Sequence, residues 1–346
     1  MSKELLFVGS YMEKVSSEGI YVFELDNQTG KLTKLTSTTN CINPTYLVYK
    51  NNILYAANEM TDKSVISCYQ YNSSHQVLHF INQIETAGKG ICYLSLWNQH
   101  PYLSGATYTT GHFVTCEINK DGSIGKVLDS KLNQGKGYMK GRQDSAHAHS
   151  LTPDCVDQYF VGADLGLDSL FIYRQNDGIF ELIDIIKVED GKGPRHFAFR
   201  KDGKFGYLIT EMGNTIIVYS INRESGKFTK VEEVTTLPED YQGQSDAAHI
   251  VISQDGRFLY ASNRGHDSIA CFKIDKENGS LSFVDIYPSG GIGPRHFALS
   301  KNQDYVVVGH QRTHNLVVYK RDKKTGKIME KTDEVMLIKP VCICFE

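Results

Sequence analysis

Residues 144–150 read DSAHAHS, two histidines separated by one alanine and followed by a serine. At strand spacing this puts both imidazoles, His147 and His149, on one face. Imidazole is matched to proton transfer near neutral pH, and a His-x-His pair can also supply part of a zinc ligand set. Related strings recur downstream: PRHF at 194–197 carries Arg195 and His196, AHIV at 248–251 carries His249, and PRHF at 294–297 carries Arg295 and His296. Two chemistries are open. A metal centre would add His196, Glu211, His249 or His296 to the pair. Metal-free polar catalysis would use a histidine as base and the arginines to hold an anion. Guanidiniums favour a carboxylate, phosphate or oxyanion over a bare divalent cation, so the arginines speak for the second.

These strings sit in a repeat. A short apolar run ending in a small residue and a polar pair occurs as LLFVGSY, ILYAANE, YLSGATY, YFVGADL, FGYLITE, FLYASNR and YVVVGHQ. Its closing residues, Tyr11, Glu59, Tyr108, Leu165, Glu211, Arg264 and Gln311, are spaced by 48, 49, 57, 46, 53 and 47 residues. A second strand-like run follows each copy, as in GIYVFELD or TIIVYSIN, and four of these enter related turns such as DNQTGKL and DKENGSL. Glycine in those turns meets the positive φ of a tight hairpin. A third run follows the turn, and a fourth, such as PRHFAFRKDG, precedes the next copy. Four strands per unit and seven units predict an all-β, seven-bladed β-propeller occupying residues 1–346 as one domain. The last run, KPVCICFE, has no following partner, so residues 339–346 are expected as the innermost strand of the blade begun by residues 5–11, closing the ring.

In a propeller, polar residues repeated at one blade position converge on the axis. Two such columns are expected around a central funnel. The second-strand ends supply Ser10/Tyr11, Asn58/Glu59, Thr107/Tyr108, Asp164/Leu165, Thr210/Glu211, Asn263/Arg264 and His310/Gln311. The innermost strands supply His147, His149, Arg195, His196, His249, Arg295 and His296. Unpaired burial of such groups costs on the order of 1–3 kcal/mol each, so a ligand site or a wet channel is the economical reading. The plainer reading of each arginine is a salt bridge between blades, to Glu59, Asp164 or Glu211. The 57- and 53-residue spacings come from two insertions, ending QDSAHAH and QSDAAH, expected to wall one mouth of the funnel.

Composition narrows the function classes. Hydrophobic residues make up 40% and charged residues 22% of the 346, with a formal net charge of −3. No global basic field would draw the chain to nucleic acid, and no apolar run reaches the roughly 20 residues of a membrane-spanning helix. The N-terminal MSKELLFVGSY is unlike a secretory signal, and the eight cysteines form no CxxC, reading as reduced buried thiols of a cytoplasmic protein. A single tryptophan, Trp97, and the lack of Gly-His and Trp-Asp signatures separate the chain from interaction repeats. No nucleophile elbow, Walker loop or dinucleotide fingerprint is present.

The segments AHAHS, GPRHFAF, DGKFGYLITE, SQDGRFLYASNRGHDSIACFKID and GPRHFALS resemble the propeller-type lactonases, a family that includes seven-bladed 6-phosphogluconolactonases and is related to fungal carboxymuconate-lactonising enzymes. The resemblance spans essentially the whole chain, with SNRGHDSI its most specific segment. It implies hydrolysis of 6-phospho-D-glucono-1,5-lactone in the oxidative pentose phosphate pathway, without a metal or other cofactor. By the same resemblance the functional set is His149, Arg195, Glu211 and Arg264. Two departures stand out: AHIVIS carries His249 two residues earlier than family members do, and GKGICYLSL offers Tyr93 where a histidine is common.

The expected mechanism uses His149 or Glu211 as general base for water, with Arg195 and Arg264 stabilising the oxyanion. His147, His196, Arg295, His296, Glu59, Asn263, Gln311 and Arg142 are expected to contact substrate, Arg295 and Arg142 as phosphate contacts, with Lys140 beside them. The expected partner is a small anionic phosphosugar lactone, bound by a monomer or weak homo-oligomer. A lactonising isomerase acting on an unsaturated dicarboxylate and a non-enzymatic binding propeller are the alternatives.

Overall fold

The computed structural model describes residues 3–14 and 17–346; Met1 and Ser2 of the N-terminal stretch read above lie outside it. Its described residues form seven four-stranded antiparallel sheets. Blade one is built from Pro340–Phe345, Lys3–Ser10, Ile20–Asp26 and Leu32–Thr38, in that order from the axis outward. The C-terminal strand therefore closes the ring, as the unpartnered KPVCICFE run requires, pairing Phe7 with Cys344 and Val8 with Ile343.

The innermost strands of blades two to seven are Pro44–Lys50, Ile91–Leu96, Ala148–Pro153, Pro194–Phe199, Asp246–Ile252 and Pro294–Leu299. Each touches the innermost strand on either side, so the seven line one axial channel. Between blades, alternating apolar side chains of two neighbouring sheets interdigitate. Val161, Leu170 and Ile172 of blade four meet Phe197, Leu208 and Ile217 of blade five, all fully buried or nearly so. A middle strand is covered on both faces and reads as an unbroken apolar run, such as FGYLIT. An outermost strand such as Ile179–Lys187 is exposed along most of its length. Among the described residues no helix is long and apolar enough to cross a membrane.

One irregularity repeats in every blade. The innermost strand slips register against its neighbour near its start: Pro44 pairs Asn58 but Tyr46 pairs Ala57, and Pro194 pairs Thr210 but His196 pairs Ile209. The extra residue of each bulge is Thr45, Cys92, His149, Arg195, Arg295 or Val341, and in blade six the slip spans Ala248 and His249. A bulge re-aims a side chain that strict alternation would send elsewhere. Here it lets consecutive residues, such as Arg195 and His196, both serve the channel.

Candidate active site

Three tiers of side chains follow from this construction. The uppermost comes from the residues at or just past the ends of the second strands, where Tyr11 meets Glu59 and Arg264 meets Glu211. The other members of those sequence pairs turn away and close their own hairpins. Thr210 bonds Thr215, His310 Nδ1 lies 3.3 Å from Asn315 O, and Asn263 donates to Thr236 O at 2.8 Å and to Ser268 at 3.2 Å. Asn263 is fully buried, with its Oδ1 accepting from Thr236 Oγ1 at 2.6 Å. Its expected contact with substrate is therefore corrected: both ends of its amide anchor the second insertion.

Glu211 is the hub. Its Oε2 accepts from Arg195 Nε at 2.7 Å and lies 2.9 Å from Arg264 Nη2, while its Oε1 accepts from Arg142 Nη2. Burial works against the carboxylate, but Arg264 and Arg195, then His149 and Arg142, hold it well below the ordinary carboxylate range. Arg142 comes from the first insertion, so that loop does wall the mouth. Buried Gln143 fixes its path by donating to Leu165 O at 2.7 Å and accepting from Met139 N at 2.9 Å. At the rim Arg142 also approaches Asp246 of the second insertion at 3.7 Å.

The expectation of several blade-to-blade carboxylate partners is narrowed to Glu211. Asp164 spends its oxygens on Asn133 Nδ2 and on the amides of His147 and Leu167. Glu59 accepts from the hydroxyls of Tyr11 at 2.7 Å and Thr45 at 2.8 Å.

The middle tier is set by the bulges. His149 is 3% exposed, its Nε2 3.9 Å from Glu211 Oε2, beneath the edge of Tyr108. Burial and then the charge of Arg195 push its imidazole well below the usual value, so it is neutral at pH 7. His147 stands outside it, its ring stacked on Tyr108 at 4.5 Å and its Nδ1 donating to Tyr108 O at 2.8 Å. Arg195 is 2% exposed and gives Nη1 to Ala248 O and, at 3.1 Å, to His196 Nε2. Burial and the neighbouring Arg264 bring its guanidinium down to about 10.

The lowest tier is an aromatic collar. Tyr46 and Tyr93 pack at 4.4 Å, Tyr93 meets His196 at 5.2 Å, and His196, His249 and His296 follow at 5.1 and 3.8 Å. His249 stands two residues after Ala247 as His196 stands two after Pro194 and His296 two after Pro294, and the single extra residue of each slip leaves all three in one layer. Hydrogen bonding fixes the tautomers. His196 Nε2 accepts from Arg195, so its proton is on Nδ1, which donates to His249 Nδ1 at 2.9 Å. His296 Nδ1 accepts from Ile343 N at 3.2 Å. His196 thus stands behind Arg195 as its support, and His296, stacked on His249, lies in the same lowest tier; His249 and His296 also line a cavity of about 570 Å³ at the opposite end of the channel. Among the described residues no three His, Cys, Asp or Glu side chains converge as a metal ion requires.

This arrangement presents a neutral base beside an ionised carboxylate, under a set of guanidiniums, on a propeller whose repeat spans the chain. Residues 5–345 match the family described as "Lactonase, 7-bladed beta-propeller". The chain belongs to the propeller lactonases. Among its lactonase relatives, a 6-phosphogluconolactonase of Bacillus subtilis is 34% identical over 349 residues, covering 100% of this chain and 99% of that one. The structure of the periplasmic gluconolactonase of Pseudomonas aeruginosa superposes with a TM-score of 0.92 at 29% identity, covering 99% of each chain. An uncharacterized protein of Staphylococcus saprophyticus is 36% identical, with 98% of each covered.

In this chain the four residues suggested by resemblance, His149, Arg195, Glu211 and Arg264, come together around Glu211. Sequence reasoning missed Thr45, Cys92 and Tyr46. Cys92 looks like a core thiol in its run, yet its bulge places Sγ 3.9 Å from His149 Nδ1. No local signal marks a bulge there; only comparison of the seven blades does. Gln311 bonds Gly293 O through its backbone N–H, and its side chain has no hydrogen bond among the described residues.

Proposed function

We propose that the protein hydrolyses 6-phospho-D-glucono-1,5-lactone to 6-phosphogluconate, with His149 as general base. The observation that carries this is the neutral imidazole of His149 within 3.9 Å of an ionised Glu211. Glu211 is the poorer base, because both its oxygens already accept from guanidiniums and its affinity for a proton is depressed. His149 takes a proton from water as the water oxygen attacks the lactone carbonyl. The resulting imidazolium is stabilised by Glu211. The tetrahedral oxyanion is met by Arg195, whose Nη2 has no hydrogen-bond partner among the described residues, with Arg264 adding positive charge. Cleavage of the ring C–O bond returns the proton from His149 to the leaving oxygen, giving the hydroxy acid. Arg142 at the rim is positioned for the phosphate.

Initial rates on freshly made phosphorylated lactone, with spontaneous opening subtracted, test this. His149→Ala is expected to lose about 10²–10⁴-fold in kcat. If His149→Ala and Glu211→Ala both turn over at the wild-type rate, the assignment fails. The gluconolactonase likeness favours a second reading, an unphosphorylated sugar lactone. Running gluconolactone and a muconate in the same assay separates these from a lactonising isomerase, and turnover of none supports a binding propeller. A cytoplasmic location and a monomeric or weakly associated state go with the first reading; fractionation and light scattering check them.

A further inference from the structure

The charges that line the funnel do not balance. Arg142, 39% exposed along its side chain, faces Asp246 at the rim, where water screens both. Inside stand three guanidiniums, Arg195, Arg264 and Arg295, against two carboxylates, Glu211 and Glu59, because the buried histidines are neutral. One positive charge is left over. It resides with Arg295, which makes no ion pair and no hydrogen bond among the described residues, only a ring contact 5.7 Å from the centroid of Tyr11. Arg295 is half-buried; burial opposes its charge and nearby Tyr11, Glu59 and Glu211 favour it, but none of them hydrogen-bonds the guanidinium, whose donors are open to a further partner.

The place for one is defined. Arg195 and Arg295, both brought inward by their bulges, line a cavity of about 10 Å³ with Thr45, Cys92, His149 and His296. That is room for one particle the size of a water molecule. No carboxylate lines it. The Cys92 thiol, pushed by burial up to about 12, keeps its proton and directs it to the backbone carbonyls of Ala106, Ala148 and His149, so it adds no negative charge. The site thus offers guanidinium donors, one unit of excess positive charge, and space too small for a phosphate or carboxylate group.

We infer that this cavity at the floor of the funnel binds one small monovalent inorganic anion, of the halide class, between Arg195 and Arg295. Chloride is the abundant member of that class. The inference concerns the substrate-free protein and stands apart from which lactone is hydrolysed.

Crystals of the full chain grown without halide and soaked in sodium bromide are expected to show an anomalous bromine peak between the two guanidiniums. No peak there, or peaks on the surface only, overturns the inference. In thermal unfolding without substrate, replacing methanesulfonate by chloride at constant ionic strength is expected to raise Tm by roughly 1–2 °C. The rise should be lost in Arg295→Met and should shrink from chloride to iodide in the wild type as the ion outgrows the cavity. An equal response to chloride, iodide and methanesulfonate overturns the inference even if the variant fails to fold.

Discussion

Four histidines are buried along the axis, and what burial does to them sets the acid stability of the whole fold. Desolvation, reinforced by Arg195 and by the neighbouring imidazoles, pushes His149, His196 and His249 well below the ordinary 6.5 and His296 to about 3. As pH falls below 6.5 the unfolded chain binds protons that the native state refuses. Stability is therefore fully present above about pH 6.5 and is lost on acidification. For His296 alone the loss at pH 5 is ~2 kcal/mol, approaching ~1.4 kcal/mol per further pH unit. The other three shift the same way, as do His112 and His310, so the sum is a large part of the roughly 5–15 kcal/mol that holds a domain together. Glu211 acts in a separate window. Its depressed carboxyl contributes stability above about 4.5 that is lost only at lower pH. Urea unfolding at pH 8, 7, 6 and 5 should show a midpoint falling steeply below pH 6.5. His296→Gln keeps an acceptor for Ile343 N, removes one titrating group, and should reduce the slope by ~1.4 kcal/mol per pH unit. A free energy of unfolding that is flat between pH 7 and 5 would refute the reasoning, because it would mean that the collar takes up protons as readily as the unfolded chain.

Three further outcomes are expected. Arg142→Ala removes the rim guanidinium from Glu211 and should raise KM for the phosphorylated lactone roughly tenfold, leaving KM for gluconolactone and both kcat values little changed; equal effects on the two substrates would count against a phosphate contact. Asn263→Ala should cost about 1–3 kcal/mol in denaturant unfolding while KM stays within about twofold, since its amide serves the Thr236 loop and not the ligand. Gly166→Ala should lower stability by on the order of 3 kcal/mol in a thermal or urea scan, because the new Cβ would lie 2.0 Å from Ser145 O and 2.8 Å from His147 N, both backbone atoms leading into the strand that carries His149.

The fold was legible because every blade solves the same problem. A middle strand packed on both faces must be apolar throughout, and its end must be polar where it meets the funnel, so FGYLITE and FLYASNR declare themselves at a fixed spacing. Ring closure followed from counting: a terminal run with no partner and an N-terminal sheet lacking its innermost strand fit one another. The column of strand ends also located Glu211 and Arg264 at the mouth. It overreached at Asn263, because two adjacent polar residues at a strand end face opposite ways and only one can reach the axis.

What one blade's sequence specifies is therefore its own strands, turns and apolar faces, since these depend on alternation and burial within a few residues. What the assembled ring decides is the chemistry. Glu211 is an ionised hub only because Arg142, Arg195 and Arg264, from three different segments, close on one carboxylate. His149 is a neutral base only because that closure buries it beside Arg195. The bulges that turn Cys92, Arg195 and Arg295 to the axis are register slips between paired strands, so they exist only once the pairing does. Charge and proton affinity are set by distances of a few ångströms across the channel, and residues some fifty positions apart in the chain acquire those distances only when the last strand closes the ring.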